Sequence, residues 1–132
     1  MAKRNDSVMQ GWNTQLRKGL VELCVMRLLD ANEAYGYQIL QQLNAATGLE
    51  LTESTLYPVL ARLARDRLVK VRVAASPAGP PRRYYRLTET GQSRLKEMAT
   101  HWIGVRDAVD HLLNNGGNHE SSGSESAQSP SR

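Results

Sequence analysis

Between Arg62 and Arg86 the chain carries eight arginines or lysines and one acid, Asp66. Guanidinium and ammonium groups at that density pair with phosphate, and their order along the chain narrows the partner. Residues 52–88, TESTLYPVLARLARDRLVKVRVAASPAGPPRRYYRLT, read as an amphipathic helix, a short strand, a proline-stiffened turn and a second strand. A helix followed by a cationic two-stranded ribbon suits the grooved, polyanionic surface of duplex DNA. The net charge of +4 does not point to nucleic acid by itself; the local clustering does.

The major groove admits one α-helix, whose first residues read base edges. Ser54 and Thr55 are small donors at that end of the helix, able to reach a base edge or a phosphate, or else to cap the helix. Tyr57 offers a phenolic hydroxyl to a phosphate, or packs against the ribbon. Arg62 and Arg65, two turns further on, suit backbone phosphate; the alternative for both is a solvated helix face. Arg82, Arg83 and Arg86 flank Tyr84 and Tyr85 on the return strand. Cations there grip phosphates beside the groove, which fixes register without carrying sequence information. Strand alternation turns one of the two tyrosines inward and leaves the other near the surface. Tyr37, on the preceding helix, completes the DNA-facing set.

Other chemistries lack their residues. There is no GxSxG, no phosphate loop and no pair of carboxylates suited to a cleft. His101, His111 and His119 are too scattered for metal-ligand spacing, and Cys24 is the one thiol. No enzyme, metal or cofactor is expected.

The DNA-facing residues need a scaffold. A first helix over Asn13–Asp30 places Leu16, Leu20, Leu23, Met26 and Leu29 at helical spacing, with Val21, Cys24, Val25 and Leu28 widening the stripe, so it is central. Ala31–Tyr35 leads to a second helix, Gly36–Ala46, with Ile39, Leu40 and Leu43 inward and Gly48 as a left-handed stop. The third helix runs from Thr52, its N-cap, to Arg67 on a stripe of Leu56, Leu60 and Leu63; Pro58 lies near enough its start to be tolerated. Leu68–Ala74 and Arg83–Leu87 are strands about the SPAGPP turn. The last helix starts at Thr88. Its Leu95, Met98, Trp102, Val105, Val109 and Leu112 are separated by steps of 3, 4, 3, 4 and 3, a heptad seam that wants another helix against it. The same helix of a second copy is the economical candidate.

Residues 1–12 form an N-terminal arm without the apolar core of a signal peptide, and no apolar run approaches a membrane span. Residues 114–132 hold six serines, three glycines and three asparagines but no Leu, Ile, Val or aromatic, so a disordered tail is expected. A lone cysteine cannot form an intrachain disulfide and fits a reducing compartment. A cytoplasmic protein with no membrane partner is expected.

Four segments carry a resemblance: LRKGLVELCVMRLL (16–29), YGYQIL (35–40), LTESTLYPVLARLARDRLV (51–69) and PPRRYYRLTETG (80–91). Together, and in this order, they resemble the PadR family of winged-helix transcriptional regulators, most specifically in STLYPVLARL and YYRLTETG. The resemblance implies a homodimer that represses a nearby gene, often its own, and releases DNA on binding a small molecule. One C-terminal helix matches the short class. Pro80-Pro81 departs from the pattern and implies a stiffer wing tip. Trp102, in HWIGVRD, stands where some short members place a tryptophan lining a flat cavity at the dimer centre. With Met98 and Val105 it forms the candidate site for a small aromatic effector, since two indoles can sandwich a planar ring. The alternative is that Trp102 fills the dimer core. Trp12 is expected to pack on the domain.

The expected architecture is α+β and mostly helical: a winged helix–turn–helix with a two-stranded wing over 13–87 and a long dimerisation helix over 88–113. The expected function is a homodimeric repressor on a palindromic operator in double-stranded DNA, released by a small aromatic effector. Two alternatives stay open, a winged-helix protein-interaction module without DNA binding and a small-molecule carrier built on the dimer seam.

Overall fold

A computed structural model of the chain describes residues 2–121, with side chains over 8–116. Helix α1 (Ala2–Ala31) buries Val21, Val25, Met26 and Leu29. It starts eleven residues before Asn13, so most of the expected arm is helical. Extending an existing helix gains one hydrogen bond per residue ordered, and nothing in AKRNDSVMQGW stops it as a proline would. The extension presents Val8, Met9 and Trp12 to solvent; Trp12 is 58% exposed and does not pack on the domain as expected. Cys24 is half-buried on this helix, and burial pushes its thiol pKa up, toward the unreactive protonated form.

Helix α2 (Gly36–Thr47) buries Ile39 and Leu43 and ends on Gly48, whose φ of 69° is the left-handed conformation expected there. Helix α3 (Glu53–Arg65) buries Leu56, Val59, Leu60 and Leu63. Strands β2 (Val69–Ala74) and β3 (Arg82–Leu87) form the wing. A third strand, the two-residue β1 (Ala34–Tyr35), was not expected from the sequence. It pairs antiparallel with β3, giving a sheet of order β1-β3-β2. Two residues carry no detectable alternation, so β1 exists only by virtue of its partner strand. The register sets Ala34 opposite Tyr85 and Tyr35 opposite Tyr84. Ala34, Val69, Tyr85 and Leu87 are buried on one side of the sheet, and Tyr84 is only half-buried on the other.

Helix α4 (Glu89–Ser121) is locked to the turn after α3. The Thr88 hydroxyl accepts from the Gly91 N–H (3.0 Å) and faces the carbonyls of Arg67 (2.9 Å) and Leu68 (3.1 Å). A side chain at Gly91 would run into that Leu68 carbonyl, which explains the glycine in LTETG. The chain divides inside this helix, after Lys96, not at its start. The first turns of α4 belong with the winged helix because Leu95 is buried there. Helix α4 also runs on through Asn114–Ser121, which composition assigned to the tail, because propagation tolerates polar residues that could not start a helix. The rest of the expected tail, 122–132, lies outside the described residues. No helix among the described residues is long and apolar enough to cross a membrane.

Candidate nucleic-acid interface

The start of α3 is held by polar bonds from two other segments. Asn44 of α2 grips Leu51 twice: its Oδ1 accepts from the Leu51 N–H (2.7 Å) and its Nδ2 donates to the Leu51 carbonyl (3.0 Å). Arg17 of α1 donates from Nε to the Leu49 carbonyl at 2.6 Å. The Thr47 hydroxyl accepts from the Leu49 N–H (3.1 Å). The turn between α2 and α3 is thereby fixed in place. Neither Asn44 nor Arg17 stood out in the sequence, because a lone polar residue on a helix carries no sign of the backbone it will meet.

At the α3 N-terminus Thr52 takes the N-cap position without bonding a backbone N–H through its side chain. Its hydroxyl instead meets those of Ser54 (3.0 Å) and Thr55 (3.3 Å). Among the described residues neither Ser54 nor Thr55 caps the helix, and Ser54 is exposed while Thr55 is half-buried. Tyr57 lies across Gly36, so close that a Cβ on that residue would overlap the ring. This accounts for the glycine in YGYQIL. Tyr57 packs on the start of α2 yet stays 42% exposed. Burial first, then Glu53 and Tyr85, raise its phenol above the ordinary tyrosine range. It therefore remains a neutral hydroxyl at physiological pH. Tyr37 is exposed nearby on α2.

The cations fall into two groups. Arg62, expected at phosphate, is paired within the chain: its Nη2 lies 2.8 Å from Oε1 of Glu22 on α1. Arg72 makes a two-pronged bond to Glu33 (2.8 and 3.0 Å) and lies 4.8 Å from the centre of the Tyr84 ring. Arg72 holds the Glu33 carboxyl below its usual range. Arg82 lies 4.3 Å over Tyr35, which meets Tyr84 edge-on at 5.5 Å. The Arg72 and Arg82 contacts brace the sheet, while Arg62 ties α3 to α1. By contrast, no carboxylate among the described residues lies within ion-pair distance of Lys70, Arg83 or Arg86, and all three are exposed. Arg65 is exposed with only Asp66 beside it, at 3.6 Å. Lys70 sits directly opposite Arg86 in the register, a like-charge pair that an anion would relieve. The wing thus offers three exposed cations without an ion-pair partner among the described residues, with Glu33 acting on Arg86 only from a distance, beside a helix whose first turn carries Glu53, Ser54 and Thr55.

The model of the PadR-like transcriptional regulator family matches residues 25–97. The chain belongs to that family. As a PadR-like regulator it is a DNA-binding winged-helix protein of transcription and not an enzyme. A PadR-like transcription factor from Bacteroides fragilis is similar at 41% identity, covering 77% of this chain and 98% of that one, with a TM-score of 0.64. A PadR family regulator from Eggerthella lenta matches at 31% identity over 84% of this chain and 96% of its own, with a TM-score of 0.75. An uncharacterised protein of Lysinibacillus sphaericus is 30% identical over 98 residues, 73% of this chain and 90% of that one.

The PadR-like words of the sequence mark scaffold as much as interface. Gly36 under Tyr57 and Gly91 under Leu68 are close approaches, and Tyr85 is buried.

The expected seam is also redistributed. Leu95 is buried within the winged-helix unit and has little surface left to give a partner. In the unit from Glu97 onward, Met98 and Trp102 are half-buried, while Val105, Val109 and Leu112 are exposed.

Proposed function

We propose that the chain is a cytoplasmic homodimeric repressor that holds a palindromic operator through α3 and the wing and releases it when a small aromatic compound binds. The observation that carries the DNA contact is the pairing of Ser54 and Thr55, which follow Glu53 at the start of α3, with Lys70, Arg83 and Arg86 on the adjoining ribbon, which have no ion-pair partner among the described residues. In this reading Ser54 and Thr55 approach base edges, while Tyr37, Tyr57, Arg65, Arg83 and Arg86 hold phosphates. Arg82, stacked on Tyr35, contributes field more than contact.

Dimerisation is supported by the strip Met98, Trp102, Val105, Val109 and Leu112, whose last three members are 43–70% exposed at heptad spacing. A second copy of α4 is a natural cover for such a strip. Two recognition helices related by a two-fold axis would then address half-sites about 34–36 Å apart. Met98, Trp102 and Val105 are the residues proposed to meet the effector, and planar rings are favoured because indole stacks on them.

The test is a gel shift on the promoter of the protein's own gene, paired with light scattering for mass. A dimer that retards this promoter in preference to unrelated duplex is expected; a monomer, or no retardation, counts against the proposal. Effector binding is read from tryptophan quenching by planar aromatic acids in a Trp12→Phe background. Any true effector must weaken promoter binding by the same factor by which promoter DNA weakens its own binding.

A further inference from the structure

We propose that α1 clamps the recognition helix from behind, with Arg62 positioning α3 through Glu22 instead of touching DNA. The proposal rests on α3 being the helix that enters the groove. Arg62 lies in the last turn of α3, and its guanidinium meets the Glu22 carboxylate at 2.8 Å across 40 residues of sequence. Both side chains are partly shielded, at 43% and 27% exposure. This is the one cation–carboxylate pair between α1 and α3 among the described residues.

Five residues earlier on α1, Arg17 holds the Leu49 carbonyl at 2.6 Å, in the turn that leads into α3. One helix therefore holds the recognition helix at its last turn and also holds the turn that leads into its start. Together the two contacts bear on the direction of α3 as well as on its place. Base-edge hydrogen bonds lose strength steeply with misalignment, so that direction decides how well the helix start can discriminate sequence. A phosphate reaching Arg62 would compete with a carboxylate already at contact distance. Among the described residues Arg83 and Arg86 have no carboxylate at that distance.

A phosphate ligand and a positioning residue differ in salt dependence. A cation that neutralises one phosphate releases counterions, so its loss lowers the slope of log affinity against log salt by about 1 on any duplex. A positioning residue leaves that slope alone and affects only the preferred sequence.

The full-length protein carrying Arg62→Gln, Glu22→Gln, or the exchanged pair Glu22→Arg with Arg62→Glu is titrated by fluorescence anisotropy. The probes are its own promoter duplex and an unrelated duplex, from about 50 to about 200 mM salt. Both single variants are expected to weaken promoter binding by up to about fivefold, the range of a part-exposed ion pair, with the salt slope and unrelated-duplex affinity unchanged. The exchanged pair is expected to restore promoter affinity. A slope lower by about 1 on both duplexes for Arg62→Gln, with tighter binding by Glu22→Gln, overturns the proposal and makes Arg62 a phosphate ligand. An exchanged pair weaker than either single variant overturns it as well. If the wild type shows no preference for any duplex, the assignment of α3 fails, and this proposal fails with it.

Discussion

Every buried side chain of the described residues lies between Val21 and Leu95, whereas large apolar residues outside that span are exposed or only half-covered. Val8, Met9 and Trp12 precede it; Ile103, Val105, Val109, Leu112 and Leu113 follow it. The same residue types meet opposite fates in the two regions. Within the span, helices and sheet cover one another, and the winged helix is complete as a fold. Outside it, apolar surface stays in water at roughly 25 cal/mol per Å². Neighbouring side chains spaced by three and four residues make such exposure a stripe and not a scatter. The inner region therefore accounts for folding, and the outer one asks for a partner.

That contrast is tested most severely by one substitution on each side. Leu60 is fully buried on α3, so Leu60→Ala should cost about 2–5 kcal/mol in a urea unfolding curve. Val109 is 45% exposed, and Val109→Glu should leave the unfolding midpoint of dilute, monomeric protein close to that of wild type. At working concentration the same variant should halve the mass in light scattering and lose promoter retention, because an unpartnered carboxylate buried at the seam costs more than the roughly 2–7 kcal/mol of an unbonded neutral polar group. A Val109→Glu protein as unstable as Leu60→Ala would mean that the strip is already covered within the chain.

The inner region was largely legible in the sequence and the outer one only by pattern. Helical spacing located α2 and α3 closely, Gly48 marked the stop it was expected to mark, and alternation turned one of the two wing tyrosines inward, which is Tyr85. The heptad steps on α4 were visible too, but not where the winged-helix core would end along them, so Leu95 was grouped with the seam. Three features escaped because they depend on distant partners. Strand β1 needs β3, Asn44 needs the Leu51 backbone, and Arg62 needs Glu22. A run of like charges reveals an electrostatic field; it does not reveal which of its members an acid elsewhere has already claimed. The helix ends escaped for another reason, since propagation past Asn13 and past Leu113 depends on an existing helix more than on local composition.

A smaller effect separates the polar links of the inner region from its apolar packing. Asn44→Ala removes both bonds to Leu51 and leaves a buried residue's backbone N–H and carbonyl without partners. The expected loss is about 1–3 kcal/mol of stability. Promoter affinity should fall further than affinity for unrelated duplex, since the turn sets where α3 begins. Equal losses on both duplexes would assign Asn44 to stability alone.

The smallest effect belongs to the edge of the sheet, where Arg72 binds Glu33 in the open. Because Arg72 holds the Glu33 carboxyl below its usual range, the folded state prefers the ionised form more than the unfolded chain does. The sign follows directly. This contribution is complete above the unfolded carboxyl value of about 4.3 and fades as pH falls through the lower folded value. Glu33→Gln should therefore lower the urea midpoint slightly at pH 7, and the gap from wild type should close at strongly acid pH. A gap that persists there would mean that Glu33 acts through packing and not through its charge. Either result bears on the contrast between the two regions: if so exposed a pair proves silent at every pH, the inner region owes its order to apolar burial and to the backbone bonds of Asn44 and Thr88.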